Sequence, residues 1–213
     1  MKKLAFITLS LLVFAGYSCK DAKKEKEQTE EAASTVETEQ YSIVNDSTKV
    51  SFVGYKTTEK KAVGGTFTKI NITKNNTGAT AMEALNGTTF SIPVSSLFTN
   101  DATGTRDPKL LEFFFGVMKD TELISGVFKT GADNTCSIDI TLNGETANIP
   151  LTYETTTDNV YTFNGVMDLK NWNALDAVAS INKACEVLHT GADGVSKTWS
   201  EVAVKAEVLL EKK

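Results

Sequence analysis

From Lys49 onward, apolar and polar residues alternate in run after run. Val50 and Phe52 flank Ser51, and Phe90, Ile92 and Val94 alternate with Ser91 and Pro93. Cys136, Ile138, Ile140 and Leu142 alternate with Ser137, Asp139 and Thr141. Ala147, Ile149, Leu151 and Tyr153 share one parity, as do Tyr161, Phe163, Met167 and Leu169, and again Val202, Val204, Ala206 and Val208. Successive strand side chains point to opposite faces, so each run predicts a strand with one dry and one wet face. One-sided alternation belongs to antiparallel sheets. Strands are predicted at 48–56, 62–73, 87–95, 122–130, 135–143, 146–155, 159–169 and 199–210, with a short ninth at 41–45. Asn143-Gly144, between two alternating runs, is a hairpin signal. Gly64-Gly65, followed by a parity change from Phe67 to Ile70 and Ile72, predicts a bulge or corner bend. Eight antiparallel strands joined by short turns close into a barrel or stack as a sandwich.

Two segments break the alternation. In RDPKLLEFFFGVM, Asp107 is a good N-cap and Pro108 suits the first helical position. At 3.6 residues per turn, Leu110, Leu111, Phe113, Phe114, Phe115, Val117 and Met118 cover an arc of about 200°. A short helix with so wide an apolar face must be largely buried or contact something apolar. In ALDAVASINKACEVLH, Leu175, Val178, Ile181, Cys185 and Leu188 form an amphipathic stripe that predicts a second helix.

The first residues change the setting. Lys2 and Lys3 precede an apolar run, Leu4 to Ala15, which is too short to span a bilayer core of about 30 Å. Gly16 and Ser18 then lead to Cys19. This resembles a bacterial lipoprotein signal over 1–18, with Cys19 as the lipidated N-terminus of the mature chain. Residues 19–40 are charged and poor in apolar groups, which predicts a flexible tether. Lys20 and Asp21 are similar to the export stretch of some Bacteroidetes lipoproteins. The expected location is therefore the bacterial outer membrane, lipid-anchored and facing periplasm or cell surface. From Tyr41 to Lys213 there is length for one well-cored domain. The net charge of −5 becomes more negative once Lys2 and Lys3 are removed. An acidic chain with no basic run argues against nucleic acid. Cys136 and Cys185 remain, either as a disulfide in an oxidising compartment or as two buried free thiols.

Several stretches resemble the YceI-like family of bacterial envelope proteins: VSFVGYK with VGGTF, TRDPKLLEFFF from Thr105 to Phe115, and IDITLNGETANIPLTY. The resemblance runs from about Tyr41 to Lys212. It implies an all-β fold, an eight-stranded antiparallel lipocalin-like barrel, here with two short helices. It also implies a hollow interior holding a long apolar chain, an isoprenoid or fatty lipid. This chain departs from the family pattern at KDTELISGVF, which lacks an opening proline, and at the 175–190 insertion.

On that reading the ligand-binding residues are Phe52, Phe90, Ile92, Phe113, Phe114, Phe115, Ile138, Ile140, Phe163 and Met167, with Arg106 and Asp107 at a mouth or locally paired as an ion pair and helix cap. The alternative is a surface interaction or stress-protective module whose barrel is filled by its own side chains. An enzyme is not expected. His189 is the sole histidine, no His/Cys/Asp/Glu set has metal-ligand spacing, and no nucleophile elbow or phosphate loop occurs. No cofactor is implied.

Overall fold

A computed structural model of the chain describes residues 39–156 and 159–213. The expected signal peptide, Cys19 and nearly all of the tether lie outside the described residues. The alternating runs form β1 (Tyr41–Ile43), β2 (Lys49–Lys56), β3 (Lys61–Phe67), β4 (Asn71–Lys74) and β5 (Thr77–Gly78). After helix α1 (Ala81–Leu85) come β6 (Thr89–Pro93) and β7 (Leu97–Phe98), then helix α2 (Arg106–Phe113). The chain continues through β8 (Leu123–Thr130), β9 (Cys136–Leu142), β10 (Glu145–Thr155) and β11 (Val160–Asp168). Helices α3 (Leu175–Ala184) and α4 (Glu186–His189) precede β12 (Thr198–Lys212).

Among the described residues all strands belong to one antiparallel sheet of twelve, in the order β4-β6-β8-β9-β10-β11-β12-β2-β3-β7, with β1 pairing β12 and β5. The expected count of eight is thus corrected, and the reason is local. The predicted strand 62–73 breaks at residues 68–70 into β3 and β4, and 87–95 is followed by a 3₁₀ turn at Val94–Ser96 that separates β6 from β7. Those two broken segments still run side by side: β3 pairs β7 and β4 pairs β6. The two ends of the strand order are therefore consecutive parts of the same two chain segments, and the sheet curls back on itself. The corner lies at 68–70 and not at Gly64-Gly65, which sit in unbroken register opposite Val53 and Phe52.

The Asn143-Gly144 hairpin forms as its sequence demands. Both residues have positive φ, 54° and 74°, the combination of a type I′ turn. Leu142 pairs Glu145, so the parity of the two runs is matched across it.

Among the described residues four α-helices replace the expected two. Thr80 and Glu83 form a reciprocal capping box at α1. At α2 the N-cap is Thr105, not Asp107. Asp101 instead accepts from the backbone N–H groups of Thr105 (3.1 Å) and Arg106 (3.2 Å), reaching across the loop to satisfy the helix start. The 175–190 segment breaks at Cys185 into α3 and α4, and the stripe is buried only in its middle: Val178, Ile181 and Cys185 are buried, while Leu175 and Leu188 are exposed.

The apolar interior divides along the sheet. At one end Ile43, Leu85, Phe128, Cys136, Phe163, Val208 and Leu210 pack together, closed by α1 and β1, and leave a space of only ≈ 80 Å³. A larger cluster around Ile92, Phe115, Ile140, Met167 and Trp172 occupies the other half, beneath α2 and α3.

Candidate functional site

The dry faces of the strands do not meet in the middle of this larger half. They enclose a cavity of ≈ 630 Å³. Its walls come from inward positions on β2, β3, β6, β8, β9, β10, β11 and β12, so every long strand contributes. Nine of the ten residues expected from sequence line it: Phe52, Phe90, Ile92, Phe114, Phe115, Ile138, Ile140, Phe163 and Met167. Phe113 does not; it is the last residue of α2 and is half-buried. Three consecutive positions span about 200° of a helix, so one aromatic of the three must turn away. Phe114 and Phe115 meet edge to face with ring centroids 5.0 Å apart and line the cavity on the side that α2 and the turn after it cover as a lid.

Glycine creates the space for two wall aromatics. Phe52 is paired across the ladder with Gly65, and Phe90 with Gly126. A Cβ on either glycine would stand 2.5 Å from the ring of its partner. The rings thus occupy the positions of missing side chains and lie against the wall, leaving the centre open.

The lid is tied down by polar contacts at its edges. Asp107 accepts from the buried Thr99 through both its backbone N–H (3.1 Å) and its hydroxyl. Asn143 accepts from the N–H of Lys119 (2.8 Å) and donates to the carbonyls of Trp172 (2.8 Å) and Asn173 (3.1 Å). Trp172, fully buried, donates its indole N–H to the Ile140 carbonyl at 2.8 Å. One hairpin tip therefore fastens the segment after α2 and the turn before α3 to the barrel wall.

The mouth is polar. Lys56, Asp101, Thr103, Thr105, Arg106, Lys109, His189 and Thr198 line it. Arg106 pairs with Asp101 at 3.4 Å and not with Asp107, which resolves the expected ion pair differently. The Thr103 hydroxyl, with the N–H groups of Thr105 and Arg106, holds the Asp101 carboxyl below the usual range. Thr198 gives its hydroxyl proton to Asn182 (2.9 Å), so the 2.6 Å contact with His189 has Nδ1–H as donor and leaves Nε2 as the free ring nitrogen. Burial, then the charges of Lys56 and Lys109, pull His189 down to about 4, so it is neutral at pH 7.

Cys136 and Cys185 are both free and buried. They belong to different parts of the interior, Cys136 to the end closed by α1 and β1 and Cys185 to the wall of the larger cavity. Burial pushes the Cys136 thiol up, away from thiolate chemistry. Among the described residues no three His, Cys, Asp or Glu side chains group as a metal site.

Sequence reasoning missed Lys56, Lys109, Thr198 and Trp199 as mouth residues. Lys56 and Thr198 sit at strand ends and are paired with each other across the ladder. Nothing in either residue's own neighbourhood signals that meeting; only the register of β12 on β2 brings it about.

No protein-family model matches the chain, and no curated protein matches it. Solved structures do. A polyisoprenoid-binding domain from Saccharophagus degradans, implicated in plant cell wall breakdown, superposes with a TM-score of 0.55 at 11% identity, over 81% of this chain and 98% of that one. BcnA from Burkholderia cenocepacia superposes with a TM-score of 0.50 at 18% identity, over 79% and 99%. The YceI protein of Campylobacter jejuni reaches 0.46 at 18% identity, over 72% and 87%. The first two show that the chain has the curled antiparallel all-β fold, with short helices, that its resemblance to the YceI-like family implied.

Proposed function

We propose that this protein is a YceI-like envelope lipoprotein that holds a long apolar ligand, an isoprenoid or fatty-chain lipid, inside the barrel that its curled sheet forms. The ≈ 630 Å³ cavity carries this reading. It falls within the range of about 300–1,000 Å³ typical of small-molecule pockets. Its walls are predominantly aliphatic and aromatic, and most of its polar residues gather at one mouth. Each methylene moved from water into such a space contributes about 0.8 kcal/mol, so a chain of a dozen carbons gains ample driving force without one hydrogen bond. The pairing of β3 with β7 and β4 with β6 supports closure of the sheet, because it leaves no long free edge between them. An open centre favours a carrier over a module filled by its own side chains. The polyisoprenoid-binding character of the Saccharophagus degradans neighbour enters here as part of the proposal.

The same proposal includes an acyl anchor on Cys19, a tether to residue 40 and attachment to the outer membrane. It assigns a binding role and no reaction: Cys185 and His189 both line the cavity, yet no hydrogen bond joins the thiol to the imidazole, whose Nδ1 is engaged by Thr198. The direct test is solvent extraction of protein purified from its own envelope, followed by mass spectrometry. A stoichiometric long-chain lipid is expected. Reproducible absence of lipid, together with no uptake of added polyprenol, would overturn the carrier reading. The mass of the N-terminal peptide tests the anchor separately, with a diacylglyceryl adduct on Cys19 as the expected result and a free thiol as the adverse one.

A further inference from the structure

Large apolar side chains left in water are unevenly placed on this domain. Strand register puts the ends of β2, β9 and β11 and the starts of β8 and β12 together, at the end of the sheet that α2 and α3 cover. Val117, Leu123, Leu175, Val187, Leu188 and Val195 lie at that end, six of the eight exposed large apolar residues among those described. Val187 is 89% exposed. Leu188 is exposed and also lines the cavity, so one side chain carries apolar surface from solvent to the interior. Trp199 lines the same mouth and donates its indole N–H to the Thr57 carbonyl at 2.8 Å. The ammonium groups of Lys197 and Lys60 lie over its ring, 3.5 and 4.7 Å from the centroid. A tryptophan with lysine stems across it suits a boundary between hydrocarbon and water. Over residues 183–197 the charges balance, Lys183 and Lys197 against Glu186 and Asp193. What this lobe offers a partner is therefore apolar surface and not a field.

Resting on the carrier reading above, we propose that this end of the domain docks on a lipid bilayer, with Val187, Leu188 and Val195 entering the interface beside the mouth. The chemistry of the cargo argues for this occupant. A chain that fills an apolar cavity is scarcely soluble in water, and its reservoir is a bilayer leaflet. A mouth set against the leaflet lets the chain pass along Leu188 without hydrating its methylenes. The tether allows the contact. β12 starts at the mouth and its last residues pair β1 at the opposite end. Its 15 residues set the two ends at most about 50 Å apart. Residues 20–38, between Cys19 and Glu39, reach about 65 Å when extended. A tether of that reach does not hold the mouth away from the membrane that carries the anchor.

The test reads depth of insertion. Full-length protein from its own envelope, with a polarity-sensitive fluorophore on Val187→Cys, is placed in phosphatidylcholine vesicles containing phospholipid spin-labelled on the acyl chain. The emission should shift to the blue and be quenched, and raised salt should not undo this, because the local charges balance. The same fluorophore on Asp46→Cys, between β1 and β2 at the opposite end, should remain unquenched. A second readout follows uptake of a fluorescent polyprenol analogue from the vesicles, by energy transfer from Trp172 and Trp199. Val187 and Val195 do not line the cavity. Val187→Ser/Val195→Ser should therefore slow uptake at least about tenfold and leave its final level unchanged. No quenching at Val187→Cys, quenching abolished by salt, or uptake as fast in the double variant as in the wild type overturns insertion and leaves the carrier standing. Quenching without any uptake of the analogue overturns the carrier and leaves the docked face. A dimer in detergent that Val187→Ser/Val195→Ser dissociates assigns the face to a second copy of the chain and overturns the bilayer.

Discussion

The ring edge of Phe52 fills the place where a side chain on Gly65 would begin: a Cβ there would lie 2.5 Å from Cζ and 2.8 Å from Cε1. Phe90 and Gly126 repeat the relationship one wall away, but with a difference. At Gly65 the other close neighbour is the Thr99 methyl at 3.1 Å, whereas at Gly126 the Asp139 carbonyl oxygen stands at 2.6 Å. A phenylalanine ring can swing; a ladder carbonyl cannot. Gly65→Ala should therefore cost about 1 kcal/mol and push Phe52 into the cavity, lowering uptake of an apolar probe, while Gly126→Ala should cost about 2–3 kcal/mol by straining β8 against β9. Urea unfolding and probe titration check both. Equal costs with undiminished uptake in Gly65→Ala would show that the ring does not bound the hollow.

Asn143 combines a backbone demand with a side-chain role. Its φ of 54° is costly for most residues, and its amide makes three hydrogen bonds that fasten the lid and the Trp172 turn. Asn143→Gly keeps the backbone and removes only the side-chain bonds, so a loss of about 1–2 kcal/mol is expected. Asn143→Ala adds the conformational penalty and should lose about 1 kcal/mol more. If denaturant midpoints show the two variants alike, the left-handed conformation contributes nothing measurable.

The period-two pattern made the sheet legible, because alternation is imposed by the pleat and every long strand has one dry face. Phe52, Ile138 and Met167 could be assigned to the interior on parity alone. What parity could not show is whether opposite faces touch: that depends on curvature and on where glycines let rings lie flat, as at Gly65 and Gly126. The mouth was illegible for another reason. Lys56, Lys109 and His189 are far apart in sequence and ordinary in context, and only the register of β12 on β2 and the packing of α2 against α3 assemble them. Asp107 was misread because a good cap residue at the right offset is a local signal, and the loop at Asp101 reached the helix start first.

Asp107 acts as the latch of α2. It accepts from the N–H and the hydroxyl of Thr99, a residue only 7% exposed. Asp107→Ala leaves both donors unpaired, and a loss of about 2–3 kcal/mol is expected. Asp107→Asn retains an acceptor without the charge and should lose about half as much. Hydrogen exchange supplies the readout that separates a latch from a general stabiliser. Amides of α2 should exchange faster in Asp107→Ala while those of β9 and β10 stay protected. Uniform acceleration across the domain would remove the latch.

The sole histidine gives stability a pH dependence of known sign. Burial, with Lys56 and Lys109, lowers His189 from 6.5 to about 4 in the folded chain. Between those values the unfolded chain binds a proton that the folded chain does not, so stability is complete above about pH 6.5 and declines as pH falls toward 4. The lowered aspartates Asp101, Asp139 and Asp168 release their own contributions only lower, as protonation begins near and below their ordinary value of 3.8, and the lowered Glu207 and Glu211 do so near and below 4.5. The interval from about pH 4.5 to 6.5 is thus left mainly to His189. Thermal midpoints measured across it should fall steadily for the wild type and stay nearly level for His189→Gln, whose amide can still donate to Thr198. A wild-type curve as flat as that of the variant would mean that His189 titrates as a solvated imidazole and that the mouth is wetter than its lining implies.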